Sequence, residues 1–208
     1  MPSAGPTLRL VLASASPARL ATLRSAGLDP EVIVSGVDES VVRAPTPAGL
    51  TAELARLKAE AVLATLPVPT HEATLVVGCD SMLELDGQAH GKPGTAAAAA
   101  ARLRTMRGRS GVLHTGHHVV LRHPEGEQRR TAVGSTVVHF GDLSDAEVDA
   151  YVATGEPLAV AGSFTIDGLG GPFVERIEGD HHNVVGISLP LLRRLLAELG
   201  VAWPDLWS

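Results

Sequence analysis

Two short apolar runs, residues 8–13 and 75–77, constrain the fold more than any other feature of this sequence. Each is too short for a helix, and each stops at small or polar residues: Ser14-Ala15-Ser16 after the first, Gly78-Cys79-Asp80-Ser81 after the second. Such runs read as strands buried on both faces, and a sheet of that kind needs helices on either side. The sequence supplies them. Ser16 is suited to cap a helix, Pro17 to stand at its first position and Gly27 to end it. A strand at 32–34 and a Pro/Gly/Thr-rich loop at 44–49 lead to a second helix over 51–65. Its apolar stripe is Leu50, Leu54, Leu57, Ala61 and Ala64.

Residues 82–85 alternate toward Asp86-Gly87, a hairpin signal, and Thr95 can cap a helix through an alanine tract to Met106. Long strands follow at 112–122 and 129–140, joined around Glu125-Gly126. Ser144 and Glu147 have capping-box spacing for a helix that ends before Gly155. A glycine-rich stretch (Gly162, Gly168, Gly170, Gly171) precedes a strand at 173–177, and a last helix runs from near Pro190 to Gly200. Strands and helices interleave, with antiparallel hairpins inserted. That predicts an α/β fold built on a mixed sheet with flanking helices.

The chain has 208 residues, 45% of them hydrophobic, enough for one sizeable core. Lys and Arg number 17 against 23 Asp and Glu, and no long basic run appears, so no nucleic-acid partner is expected. Cys79, the single cysteine, excludes an intramolecular disulfide and reads as a packing residue rather than a nucleophile. No basic region ahead of the first apolar run suggests a signal peptide, and no apolar stretch reaches the ~20 residues that cross a bilayer. A soluble cytoplasmic protein with no membrane partner is the expectation.

Three groups of residues can carry chemistry. In Ser14-Ala15-Ser16-Pro17-Ala18-Arg19, a strand, tight loop and helix start present free backbone N–H groups, two hydroxyls and a planar guanidinium, all suited to phosphate. The same residues also describe an ordinary helix cap beside a solvated arginine. Asp80, at the exit of its strand, is either a metal ligand or base, or a turn residue bonded to its own backbone. Asp38 and Glu39 stand similarly after the preceding strand. Lys58, at the edge of its helix's buried stripe, and Lys92, in the rigid loop Gly91-Lys92-Pro93, are the basic candidates. His114, His117, His118, His181 and His182 lack metal-ligand spacing; His117 and His118 point opposite ways on a strand, and surface positions are expected for the set.

Taken in order, these fragments resemble the Maf family of nucleotide pyrophosphatases, also called septum-formation inhibitor proteins. The resemblance also takes in His114-Thr115-Gly116, Tyr151, Gly155-Glu156-Pro157, Ala161-Gly162 and Gly179-Asp180 through Asn183-Val184-Val185-Gly186. It implies that residues 1–208 form a single Maf-like domain, with two lobes around a cleft, similar to inosine triphosphate pyrophosphatases, and a homodimer. It implies hydrolysis of nucleoside triphosphates to monophosphate and pyrophosphate by water attack on the α-phosphorus, assisted by a divalent cation, Mg²⁺ or Mn²⁺. Ser14, Ser16, Arg19, Lys58 and Lys92 fall on the substrate-binding positions, Asp80 on the catalytic one, and Glu39 and Asp80 on the acidic, metal-binding ones. An Asp with the usual pKa near 3.9 is a weak base, so a metal-acidified water suits it best; base, ligand or both stays open for Asp80.

The sequence departs from the family's pattern at the specificity positions. The branch that prefers dTTP and UTP has a second arginine, a threonine and a glutamine where this chain has Ala18, Ser81 and Asp167. The branch acting on 7-methyl-GTP is not matched either. The class of reaction is therefore implied more strongly than the base. A non-enzymatic nucleotide-binding regulator of septation is the alternative, but it has no need of Asp80.

Overall fold

The computed structural model describes residues 8–207; the segment ahead of Leu8, on which the signal-peptide expectation rests, lies outside them. A mixed seven-stranded sheet runs in the order β2–β1–β3–β5–β6–β7, with β4 paired to β3 off that path. Its strands are β1 (Leu8–Leu12), β2 (Glu31–Val32), β3 (Ala73–Leu85), β4 (Gln88–His90), β5 (Ser110–His123), β6 (Gly126–Phe140) and β7 (Val174–Glu178). The helices are α1 (Pro17–Ser25), α2 (Pro47–Thr65), α3 (Ala96–Met106), α4 (Asp145–Ala153), α5 (His181–Val185) and α6 (Leu189–Ala197). β1 is parallel to β2 and β3; the remaining pairings are antiparallel. The expected α/β class with flanking helices is what the chain adopts.

Alternation along β1 and β3 covers both faces of the sheet. Leu12, Leu75, Val77 and Cys79 pack with Leu23 of α1 and Leu192, Leu195 and Leu196 of α6. Val11, Ala13 and Val76 turn the other way, onto Ala59, Val62 and Leu63 of α2. A further apolar cluster holds the far end of the sheet, where Leu83 and Leu85 meet Met106, Leu113, Phe140 and Phe164. Asp80 and Ser81 fall between these cores.

Several local expectations change. Helix α2 starts a turn early, at Pro47, because Thr46 caps it through Gly49 N and Pro47 takes the first position; the second half of the expected loop at 44–49 is helix. Its buried face is Thr51, Leu54, Ala55, Lys58, Ala59, Val62 and Leu63, so the stripe is rotated from the one the larger apolar residues suggested. Small residues face inward because the sheet is very close. A Cβ on Gly78 would lie 2.3 Å from Ala55 O, and one on Gly116 would lie 2.2 Å from Thr51 O. Lys58 thus sits on the buried face, not at its edge. The strand at 75–77 extends on through Asp80 to Leu85, which puts Asp80 inside a strand rather than at an exit. The strand expected at 32–34 is the pair Glu31–Val32, and α5, capped by Asp180, is an element the periodicity does not signal.

Neither glycine can accept a methyl group without moving helix backbone. Gly78→Ala and Gly116→Ala are each expected to lower stability by at least about 1–3 kcal/mol in urea unfolding. Gly126→Ala, with open space around the added carbon, is the control that should unfold like wild type.

Candidate active site

β1 stops at Leu12, opposite Val77, and β4 joins the same edge of β3 only at Leu83. Between them β3 keeps its pairing with β5 but, among the described residues, has no strand on its other side. Asp80 and Ser81 lie in this gap, at the C-terminal end of the parallel β1, where open α/β sheets place their ligands. Successive residues of a strand point to opposite faces, and the two side chains do so here. Asp80 turns to α2, and Ser81 turns to α1.

On the α2 side, Lys58 Nζ lies 2.5 Å from Asp80 Oδ1 and 2.7 Å from Glu39 Oε1. Lys58 and Asp80 are nearly sealed from solvent, with side chains 11% and 8% exposed; Glu39, in a one-turn 3-10 helix capped by Asp38, is half exposed. Burial pushes the Asp80 carboxyl above its ordinary range, while Lys58 and Arg19 pull it back. Lys58 opposes the rise at hydrogen-bond distance, yet desolvation outweighs it. Asp80 is consequently a better base than a free aspartate.

On the α1 side, Arg19 is buried and held at three points. Its Nε donates to Gly186 O at 2.7 Å, one terminal nitrogen to Ser14 Oγ at 3.0 Å and the other to Ser81 Oγ at 3.0 Å. Ser81 Oγ lies 2.9 Å from Thr115 Oγ1, which donates to Asn183 O at 2.9 Å. Each hydroxyl has one proton, so the direction is fixed: Arg19 donates to Ser81, Ser81 to Thr115, Thr115 to the backbone. Two guanidinium N–H bonds remain for a ligand. Ser14 Oγ accepts from Ser16 N as well, and Ser16 Oγ accepts from Arg19 N, leaving both hydroxyl protons available. Gly186 has φ 126°, and a Cβ there would come within 3.2 Å of Arg19.

Ser14, Ser16, Arg19, Lys58, Glu39 and Asp80 are thus brought together. Lys92 is not: it is exposed and makes no ion pair among the described residues, on a loop tied down by Arg102 through Gly91 O. Ala18 and Asp167 line one groove of about 360 Å³ with Thr22, His181, His182 and Val185. Ser81 does not line that groove; its hydroxyl accepts from Arg19 instead. Asp167 sits on a loop anchored by Glu156, whose carboxylate accepts from Tyr151 OH, Thr165 Oγ1, Leu169 N and Gly170 N. Thr115 and Glu156 are supporting residues that spacing alone did not mark, since both act through other side chains.

The donors fit a hard divalent cation. Glu39 and Asp80 offer carboxylate oxygens, and Asp80 Oδ2 is buried without a hydrogen-bond partner. Among the described residues, no group of three or more His, Cys, Asp or Glu gathers to hold a metal. Two carboxylates suit Mg²⁺, which takes its other ligands from water and phosphate.

Against this geometry, a family model described as Maf-like protein matches residues 9–199. The chain belongs to the Maf family. Among its relatives, a protein of Salinispora tropica named nucleoside triphosphate pyrophosphatase is 62% identical over 97% of this chain and 88% of its own length. One of the same name from Streptomyces coelicolor is 57% identical over 98% and 96%. The solved Staphylococcus aureus Ham1 protein overlaps 92% of this chain and 99% of its own at 16% identity and a TM-score of 0.45, a distant likeness from which nothing about the site follows.

The histidines of this Maf chain correct an expectation. His114, His117 and His118 are buried, because β5 is covered on both faces. Cys79 is buried as expected, and burial pushes its thiol up to about 12, far from a nucleophile. His117 Nδ1 donates to Thr115 O and Nε2 accepts from Ser188 N at 2.8 Å, so the ring is neutral and clips α6 to β5. Burial holds its pKa down to about 4. The unfolded chain takes up that proton near 6.5, so protons favour unfolding between pH 6.5 and 4. Stability is present above pH 6.5 and lost as pH falls through this window, by about 3 kcal/mol from this group. Thermal melts from pH 7.5 to 4.5 should show the decline, and a shallower one in His117→Gln; equal slopes would remove His117 as the cause.

Proposed function

We propose that this Maf protein hydrolyses nucleoside triphosphates to monophosphate and pyrophosphate, with Asp80 activating the water. The observation that carries the reading is the convergence of Arg19, Lys58, Glu39 and Asp80 on one gap in the sheet. The relatives' name, nucleoside triphosphate pyrophosphatase, supports an enzyme over a non-enzymatic regulator of septation, and a buried carboxylate with a raised pKa serves catalysis better than binding.

Asp80 takes a proton from water as its oxygen bonds to the α-phosphorus. The bond from that phosphorus to the bridging oxygen breaks, and the electron pair leaves on pyrophosphate. Arg19 spends its two remaining N–H bonds, and Ser14 and Ser16 their hydroxyl protons, on phosphate oxygens where charge develops. Lys58 adds a point charge, and Lys92, on its exposed loop, is the second basic residue in this reading. Glu39 and Asp80 would hold a divalent cation such as Mg²⁺ or Mn²⁺, which when bound would supply further charge stabilisation and a more acidic water. The working form is one domain over 1–208, homodimeric and cytoplasmic, without nucleic-acid or membrane partners. Among the described residues, no helix is long and apolar enough to cross a membrane.

The wild-type protein should release one pyrophosphate per monophosphate, and Asp80→Asn should lower turnover by at least ~10²-fold while still folding and binding nucleotide. The variants are compared by product analysis, nucleotide titration and melting. Turnover above a tenth of wild type would return Asp80 to a structural role.

Base selectivity is carried by the groove of Ala18 and Asp167. An ionised aspartate only accepts hydrogen bonds, where a glutamine also donates, and Ala18 lacks an arginine's reach. We expect weak preference for thymine and uracil, with His181 and His182 as the neighbouring donors. Steady-state kcat/KM for dTTP, UTP, CTP and GTP measures it. A dTTP and UTP preference above ~100-fold, about 2.7 kcal/mol, would show that other residues read the base.

A further inference from the structure

In this site the ammonium of Lys58 touches one oxygen of Glu39 and one of Asp80, at 2.7 and 2.5 Å. A cation shared by these carboxylates has to compete for that place. On Asp80 the contested oxygen is Oδ1, and on Glu39 it is Oε1, because these are the two oxygens that Lys58 holds.

Charge points the same way. Without ligand, Arg19 and Lys58 stand against Glu39 and Asp80, so the four groups are close to neutral. A bare dication would place two uncompensated positive charges in a poorly solvated place, with Lys58 still there. A dication carried on a triphosphate brings its own negative charges. It also offers phosphate oxygens to which the Lys58 ammonium can turn once it leaves the carboxylates.

From this geometry we infer that Lys58 is a placeholder for the cation, so that metal enters as a cation–triphosphate complex and does not reside in the nucleotide-free protein. The inference rests on the pyrophosphatase reading above and on Glu39 and Asp80 as the cation's ligands. It makes the metal-loaded nucleotide the species bound, and Lys58 the residue that couples the two ligands. Coupling of this kind is reciprocal: the triphosphate raises affinity for the cation by the factor by which the cation raises affinity for the triphosphate.

The test titrates Mn²⁺ into nucleotide-free protein at pH 8, read by electron paramagnetic resonance of free Mn²⁺. Lys58→Met should bind Mn²⁺ at least tenfold more tightly than wild type, a gain that simple damage to the fold does not produce. Equal or weaker binding by a variant that melts cooperatively overturns the proposal. A second measurement needs no variant: wild type should hold Mn²⁺ at least tenfold more tightly with a non-hydrolysable α,β-methylene triphosphate than without it, after correction for Mn²⁺ on the free analogue. Equal affinities overturn the proposal. Neither readout uses turnover, so failure of the pyrophosphatase reading shows separately, as no pyrophosphate released from any triphosphate.

Discussion

The contact on which the rest of the structure depends is the close approach of helix α2 to Gly78 and Gly116. Ala55 O and Thr51 O lie where side chains on those strands would be, and small residues on the helix let the backbones meet. Lys58 is about one turn beyond Ala55 on the helix, and Asp80 is two residues beyond Gly78 on the strand. The same contact that packs the core therefore sets the distance of the central ion pair. A slightly larger separation would let water between Lys58 and Asp80, and with it would go the desolvation that raises the carboxyl.

That ion pair is poor evidence for stability, since desolvating two charges often costs as much as their attraction returns. Its value lies in arrangement. Burial alone would neutralise Asp80, and an exposed pair would leave it an ordinary weak base. Burial beside Lys58 and Arg19 keeps a carboxylate that is both ionisable and hungry for a proton or a cation. The opposite face of the strand holds a different device. There a guanidinium is fixed by hydroxyls with a set donor direction, so its free N–H bonds are aimed before any ligand arrives.

Much of this was legible in the sequence. Short apolar runs ending in Ser14 and Gly78 announce the buried strands, and Thr95, Ser144 and Glu147 mark real helix starts. The rotation of α2 was not legible, because an alanine facing inward is selected by the nearness of Gly78 and Gly116, and that nearness is tertiary. The same cause hid the burial of Lys58. Asp80 reads as a strand exit because polar residues interrupt the apolar run; in the fold β5 carries the strand on past them. The charged residues of the candidate site stand out by chemistry, whereas Thr115 and Glu156 hold other groups in place and leave no mark in spacing. Lys92 carries a charge that the fold leaves at the rim.

The interruption along the edge of β3 has a consequence for how the molecule avoids its own kind. A bare strand edge is a template for another chain, and among the described residues no strand pairs with this edge over 78–82, about 17 Å of strand. Bounded by β1 on one side and the β4 hairpin on the other, it is a notch rather than a ledge, and an incoming strand would have to bend into it. The notch is filled on either face by charged side chains that repel an apolar segment. The charged residues of the candidate site are thus the same ones that refuse a foreign strand. Lengthening β1 past Ala13 would close the notch, trading catalysis for an uninterrupted sheet.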